Sequence, residues 1–152
     1  MKVKNYSKLS SASYRRIYSR VPRVCVDVLI RKSGGVLLSR RSIQPSLGRW
    51  HLPGGRVHRS ETLSHAAKRI CKEELGVDVA VLKVLGVIEY LRERRAPGFV
   101  THSVSTVLLV RPVAGRLRGS RQAREVRMFR VLPKRTVPAA RTFLLARRLI
   151  RR

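Results

Sequence analysis

Three things are scarce in this 152-residue sequence: cysteine, aromatic rings and acids. The two cysteines, Cys25 and Cys71, are too few for a disulfide framework, and neither has the closely spaced partners of a zinc site. Cys25 falls in an apolar strand pattern and Cys71 in a helical one, so both read as small core residues. Aromatic residues make up 5% of the chain, which argues against base stacking and leaves phosphate contact as the better reading of any nucleic-acid affinity. No apolar run approaches the roughly 20 residues of a membrane span, so no membrane partner is expected. The opening stretch, MKVKNYSKLSSASYRR, lacks the apolar core of a secretion signal. Its Ser and Arg, with no acid, keep an organelle-targeting reading open; the cytoplasm is the default expectation.

The acid deficit is the most pronounced. Eight Asp and Glu stand against 35 Lys and Arg, a formal net charge of +27. From Arg111 to Arg152 there are fourteen basic residues and one acid, Glu125. A field of that size attracts phosphate, and long polyanions above all. It is read in two ways: a solvated basic surface, or a standing RNA or ribosome partner. With 43% hydrophobic residues the chain can still build a core, and its length fits one domain.

Along the chain, residues 1–20 read as a basic N-terminal arm or short helix, and residues 21–152 as the folded domain. Val24–Arg31 and Val36–Arg40 are strand runs around Ser33-Gly34-Gly35, which predicts a hairpin. The spacing of Leu63, Ala66, Ala67, Ile70, Cys71 and Glu74 predicts a helix over Glu61–Leu75, capped by Ser60 and ended by Gly76. Val77–Leu91 alternates as one long strand or two short ones, Arg92–Gly98 reads as a charged loop, and Thr101–Arg111 and Val126–Leu132 as strands. Pro138–Ile150 reads as a closing helix with a first-turn proline. Strands mixed with two helices in one unit give an α/β or α+β class.

The segment Gly54–Val77, GGRVHRSETLSHAAKRICKEELGV, carries the chemistry. Paired glycines let the backbone enter a pocket without an obstructing Cβ, and a following helix presents carboxylates. A hard cation such as Mg²⁺ takes a few such oxygens and leaves other positions for substrate phosphates. The segment resembles the Nudix box: Gly, five residues, Glu, seven residues, then R-E-U-x-E-E-x-G-U with U aliphatic. Gly55, Glu61, Arg69, Glu73, Glu74, Gly76 and Val77 are in register with it. The resemblance implies a Nudix α/β/α sandwich with a mixed β-sheet and a Mg²⁺-dependent hydrolase, Mn²⁺ serving as a substitute ion. A homodimer is a further expectation, since family members often pair.

The box departs from the pattern once: the first Glu of its R-E pair is Ile70. The same departure marks the GDP-mannose mannosyl hydrolase branch, and the resemblance to that branch extends over about Val24–Ile150. It implies Mg²⁺ held by the Gly54 carbonyl, the Glu74 side chain and the Gln122 amide. It places Asp27 and Arg41 at the leaving group or sugar, with Arg56 as a further substrate contact. Attack at the sugar carbon would then release GDP and free hexose. The branch's general base follows the Gln ligand, and that position is Ala123, so a substitute base is expected from His102, Glu89 or Glu125, with His102 taken as the catalytic candidate. Of the eight acids, Asp27, Glu61, Glu73 and Glu74 occupy positions the family would use. Glu73 also has the spacing to pair with Arg69 one turn away, an orienting role. Two alternatives accompany the nucleotide-sugar reading: conventional nucleotide pyrophosphohydrolysis, and an attenuated Nudix-fold protein held on RNA or the ribosome.

Overall fold

The structure, a computed structural model, describes residues 9–152; the remainder of the basic arm lies outside the described residues. Ser11–Tyr18 form helix α1, whose Ser10 hydroxyl accepts from the Ser13 amide at 3.2 Å. Strands β1 (Arg23–Lys32) and β2 (Gly35–Arg40) make the expected hairpin. Its two-residue loop, Ser33 at φ 50° and Gly34 at φ 77°, has the positive φ values of a type I′ turn. Short strands β3 (Trp50–His51) and β4 (Gly54–Arg56) follow, then α2 (Leu63–Ile70), which widens into a π-type turn over Cys71–Leu75. Long strands β5 (Val77–Ala96) and β6 (Phe99–Gly115), then β7 (Glu125–Phe129) and α3 (Pro138–Ala146), complete the order.

The sheet runs β3-β2-β1-β6-β5, with β4 added to β1 and β7 to β2. It is mixed because β1 and β6 pair in parallel while the other ladders are antiparallel. Strand alternation splits β1 between two cores. Val26, Val28 and Ile30 pack with Ala66, Ala67, Ile70 and Leu75 of the α2 segment. Leu29 faces the other way, with Leu52, Val107, Phe143 and Leu144 on the α3 side. Helices on both faces of a mixed sheet give the expected three-layer sandwich.

Several boundaries differ from the sequence reading: β6 runs Phe99–Gly115 rather than Thr101–Arg111, and β7 ends at Phe129 rather than Leu132. The α2 cap is Thr62, whose hydroxyl accepts from the His65 amide at 3.1 Å; Ser60 has φ +62° and belongs to the preceding turn. The expected charged loop over Arg92–Gly98 is instead mostly strand, since Glu93 pairs with Thr101 and Ala96 with Phe99. Glu93 and Arg95 pair with one another, while Arg92 and Arg94 stay exposed on the strand. The closing helix ends at Ala146, and Arg148 takes φ +52°, letting Leu149 and Ile150 return to the core.

Candidate active site

On β1, Cys25, Asp27 and Leu29 share the α3-side face, and Asp27 alone of the three carries charge. The β5–β6 ladder presents Tyr90 on the same face, and its hydroxyl donates to Asp27 Oδ2 at 2.7 Å. On the other side of β1, Asp27 stands opposite Gly54. A Cβ at Gly54 would lie 2.7 Å from the Val26 carbonyl oxygen and would collide with Asp27 Oδ1, so the sheet closes here only around glycine.

The box helix is fastened to this strand pair by Arg69. Its Nε and Nη2 reach Glu61 Oε1 and Oε2 at 2.7 and 2.9 Å, a two-pronged pair. Nη2 also donates to the Arg56 carbonyl at 2.8 Å, and Nη1 reaches Glu73 at 3.3 Å. Glu61 accepts in addition from the His58 amide at 2.9 Å. Burial alone would raise the Glu61 carboxyl pKa, but the bonds from Arg69 and His58 win and hold it below its usual value. Glu61 is therefore a clamp between helix and loop. Ile70, where a carboxylate was expected from the box, is 1% exposed and packs in the α2 core.

Glu74, one turn beyond Ile70, faces a cavity of about 840 Å³. Gly54, Gln122, Asp27, Arg41 and Arg56 line the same space, as do Gly55, Arg69 and Glu73. Gln122 reaches it from a loop whose backbone is tied to the Arg41 loop: the Ser42 amide donates to the Gln122 carbonyl at 2.8 Å. Burial raises the Glu74 pKa to about 7; nearby Arg41 opposes this and Asp27 adds to it. Burial likewise lifts Asp27 to about 7, against the Tyr90 hydrogen bond. Arg41 is held by the Gln44 carbonyl at 3.3 Å and by a short bond to the Pro45 carbonyl.

His102 does not join this group. On β6, Ser103 and Ser105 line the cavity, and alternation turns His102 to the opposite sheet face. Its Nε2 is buried without a hydrogen-bond partner among the described residues. Glu125 pairs with Arg40 and Arg127 outside the cavity. Of the three expected substitute bases, Glu89 alone touches the lining; it is exposed and pairs across the ladder with Val104, so it reaches the cavity only at the rim. Gly76 and Glu61 are likewise not in the lining; Gly76 ends the helix at φ 73°.

Sequence reasoning missed Tyr90, Glu93, Arg23, Arg95, His51 and Tyr14, all of which line the cavity. Glu93 was hidden by the loop reading, although its alternation with Arg95 was a strand signal. His51 is half-buried, bonded to the Ser39 hydroxyl at 3.2 Å, and pushed down to about 3 by desolvation and by Arg41. It is neutral at physiological pH.

The sandwich recurs in solved structures. The NUDIX domain family matches residues 21–152. The chain belongs to the Nudix family. Agl8, a low-salt glycan biosynthesis protein of Haloferax volcanii, is 43% identical over 84 residues, covering 55% of this chain and 54% of that protein. An ADP-ribose pyrophosphatase of Methanocaldococcus jannaschii is 36% identical over 115 residues, covering 74% of this chain and 66% of its own length. In both cases the chain spans less than two thirds of the relative. A MutT Nudix hydrolase structure from Burkholderia pseudomallei superposes with TM-score 0.72 at 30% identity, covering 82% of this chain and 97% of that one.

Nudix hydrolases generally use divalent metals, and the donors gathered here can be set against that requirement. Among the described residues there is no group of three or more His, Cys, Asp and Glu side chains able to hold a metal ion. What the cavity offers is oxygen: a buried carboxylate (Asp27), a half-buried one (Glu74), an amide and a glycine backbone with no Cβ in front of it. That set suits a hard, sparsely held ion rather than a thiolate or imidazole metal.

Proposed function

We propose that this Nudix protein hydrolyses a nucleoside-diphosphate derivative, most specifically a nucleotide sugar, with a single Mg²⁺. The observation that carries the reading is the convergence of Gly54, Glu74 and Gln122 on one cavity with Asp27 and Arg41, while Ile70 brings only an apolar side chain to the lining. Glu74, Gln122 and the Gly54 carbonyl would hold the ion, with Mn²⁺ as a substitute. When bound, Mg²⁺ neutralises the departing diphosphate. Arg41 grips the diphosphate, and Asp27, oriented by Tyr90, would act at the diphosphate–sugar junction. Glu89, at the cavity rim, is assigned the proton-accepting role that Ala123 cannot fill. The glycan-biosynthesis name of Agl8 supports a sugar substrate, and the pyrophosphatase relative supports cleavage within the diphosphate as the second reading.

The test is turnover of GDP-mannose and GDP-glucose with Mg²⁺, with products identified. Glu74→Gln is expected to abolish turnover, and Glu89→Gln to lower kcat about 100-fold with little change in KM, the scale of a lost general base. A Glu89→Gln enzyme with unchanged kcat removes that residue from the mechanism.

A further inference from the structure

Beyond the carboxylate end, the cavity is lined by guanidinium groups. Arg23, Arg41, Arg56 and Arg95 all line it, and Glu93 is the carboxylate paired with two of them, Arg23 at 3.5 Å and Arg95 at 3.3 Å. Helix α1 organises this end. The guanidinium carbons of Arg23, Arg56 and Arg95 lie 5.8, 5.2 and 5.9 Å from the Tyr14 ring centroid. Tyr14 is itself fixed edge-on to Phe99, at 6.0 Å, and against Tyr18, at 4.8 Å. Arg56 also donates to the Tyr18 hydroxyl at 3.1 Å. Aromatic faces attract cations and so hold three like charges together that would otherwise disperse.

Arg23 gives an independent sign of a missing anion. It is 9% exposed, it donates from Nη1 to the Ser103 hydroxyl at 3.1 Å, and its buried Nε has no hydrogen-bond partner among the described residues. A buried donor without an acceptor is rare in folded proteins unless a ligand supplies one. Arginine's planar fork matches the oxygens of a phosphate.

We propose that Arg23, Arg56 and Arg95, gathered by Tyr14 and Tyr18 of α1, form an anion subsite in the cavity that binds a further phosphate group of the substrate, beyond the diphosphate. It rests on the reading of the cavity as a phosphate-ester site, and adds that the preferred substrate carries an anion beyond its two bridging phosphates. That anion is either the end of a longer phosphate chain or a phosphate on the sugar. Tyr14 is a positioning residue: it acts through the arginines.

The experiment is calorimetric titration of the full chain in EDTA with inorganic pyrophosphate, tripolyphosphate and glucose 1,6-bisphosphate. Wild type is compared with Arg95→Gln, Tyr14→Ala, Tyr14→Phe and the exposed-surface control Arg148→Gln. The expected result is one site at which a longer or second-phosphate probe binds more tightly than pyrophosphate. Preference for tripolyphosphate assigns the anion to a phosphate chain, and preference for glucose 1,6-bisphosphate assigns it to a sugar phosphate. Arg95→Gln and Tyr14→Ala should each weaken that site about tenfold, the scale of a lost charge-assisted bond. Tyr14→Phe, which keeps the ring, should restore it, and Arg148→Gln should leave it unchanged. Equal weakening by Arg95→Gln and Arg148→Gln, or no preference over pyrophosphate, overturns the proposal, because the net charge alone would then account for binding. If Tyr14→Ala fails to fold, Arg95→Gln carries the test. Metal-free binding is independent of turnover, so an intact subsite without hydrolysis would reject only the hydrolase reading.

Discussion

Asp27 and Glu74 hold their protons to about pH 7 because the sheet and the box helix remove both from water. In the unfolded chain they titrate near 3.8 and 4.5. The metal-free native state therefore binds more protons than the unfolded state between about pH 4 and 7, and its stability from these groups falls as pH rises through that window. Half-buried His51, down at about 3 against 6.5 unfolded, works in the opposite direction below pH 6.5. Asp27→Asn removes a carboxyl whose cost to stability grows through that window and is fully present above it. The variant is expected to be more stable than wild type by up to about 4 kcal/mol at pH 7.5, since the Asp27 carboxyl is raised from 3.8 to about 7 on folding, with the gain vanishing near pH 4. Urea unfolding in EDTA at the two pH values measures it, and a gain independent of pH would contradict it. The same substitution should abolish turnover, so stability and activity part at this residue. Asp27 and Glu74 were legible in the sequence because a spacing motif and a strand pattern fix their places. Tyr90 was not legible, because β5 is bulged and only the observed register sets which of its residues face Asp27.

At the scale of elements, the box helix was legible in period and in stop signal, but not in its start. Ser60 and Thr62 are both capping residue types, and backbone conformation decides between them: Ser60 has φ +62°, Thr62 the extended φ −75°, ψ 158° of a cap. Thr62→Ala is expected to cost about 1 kcal/mol. Ser60→Gly should be neutral or slightly stabilising, since glycine accepts positive φ without strain. Thermal unfolding of the two variants checks this, and a larger loss from Ser60→Gly would return the cap to Ser60. The β5–β6 hairpin shows the opposite failure. Its charged tip read as loop because solvation was assumed for Arg92–Arg95. Instead Glu93 gathers Arg23, Arg95, Thr101 and Ser103 into one network. Charge composition alone does not separate a solvated loop from a paired strand. His102 failed for a simpler reason: a one-residue step along a strand exchanges the cavity for the other face.

At the scale of the whole molecule, the fold and the family were legible because the box pattern and the strand–helix order agree with one another. The surplus charge is partly explained by the arginines that line the cavity. The basic residues of the Arg111–Arg152 region are largely exposed and do not line it. Nucleic acid that copurifies with the protein is therefore expected to be held by screened surface contacts and lost between about 50 and 200 mM salt. Absorbance ratios across a salt gradient would show this, and RNA retained at about 1 M salt would favour the RNA-held alternative. Among the described residues no helix is long and apolar enough to cross a membrane. The central claim is that Glu74 and its neighbours cleave a nucleotide sugar at the sugar carbon. Its most direct test is hydrolysis of GDP-mannose by nuclease-treated protein in ¹⁸O-labelled water with Mg²⁺, with Glu74→Gln as the control. Cleavage at the sugar carbon gives GDP and free hexose, with the label in the hexose and no products from the variant. Label in a phosphate product, or wild-type turnover no greater than that of the variant, would contradict it.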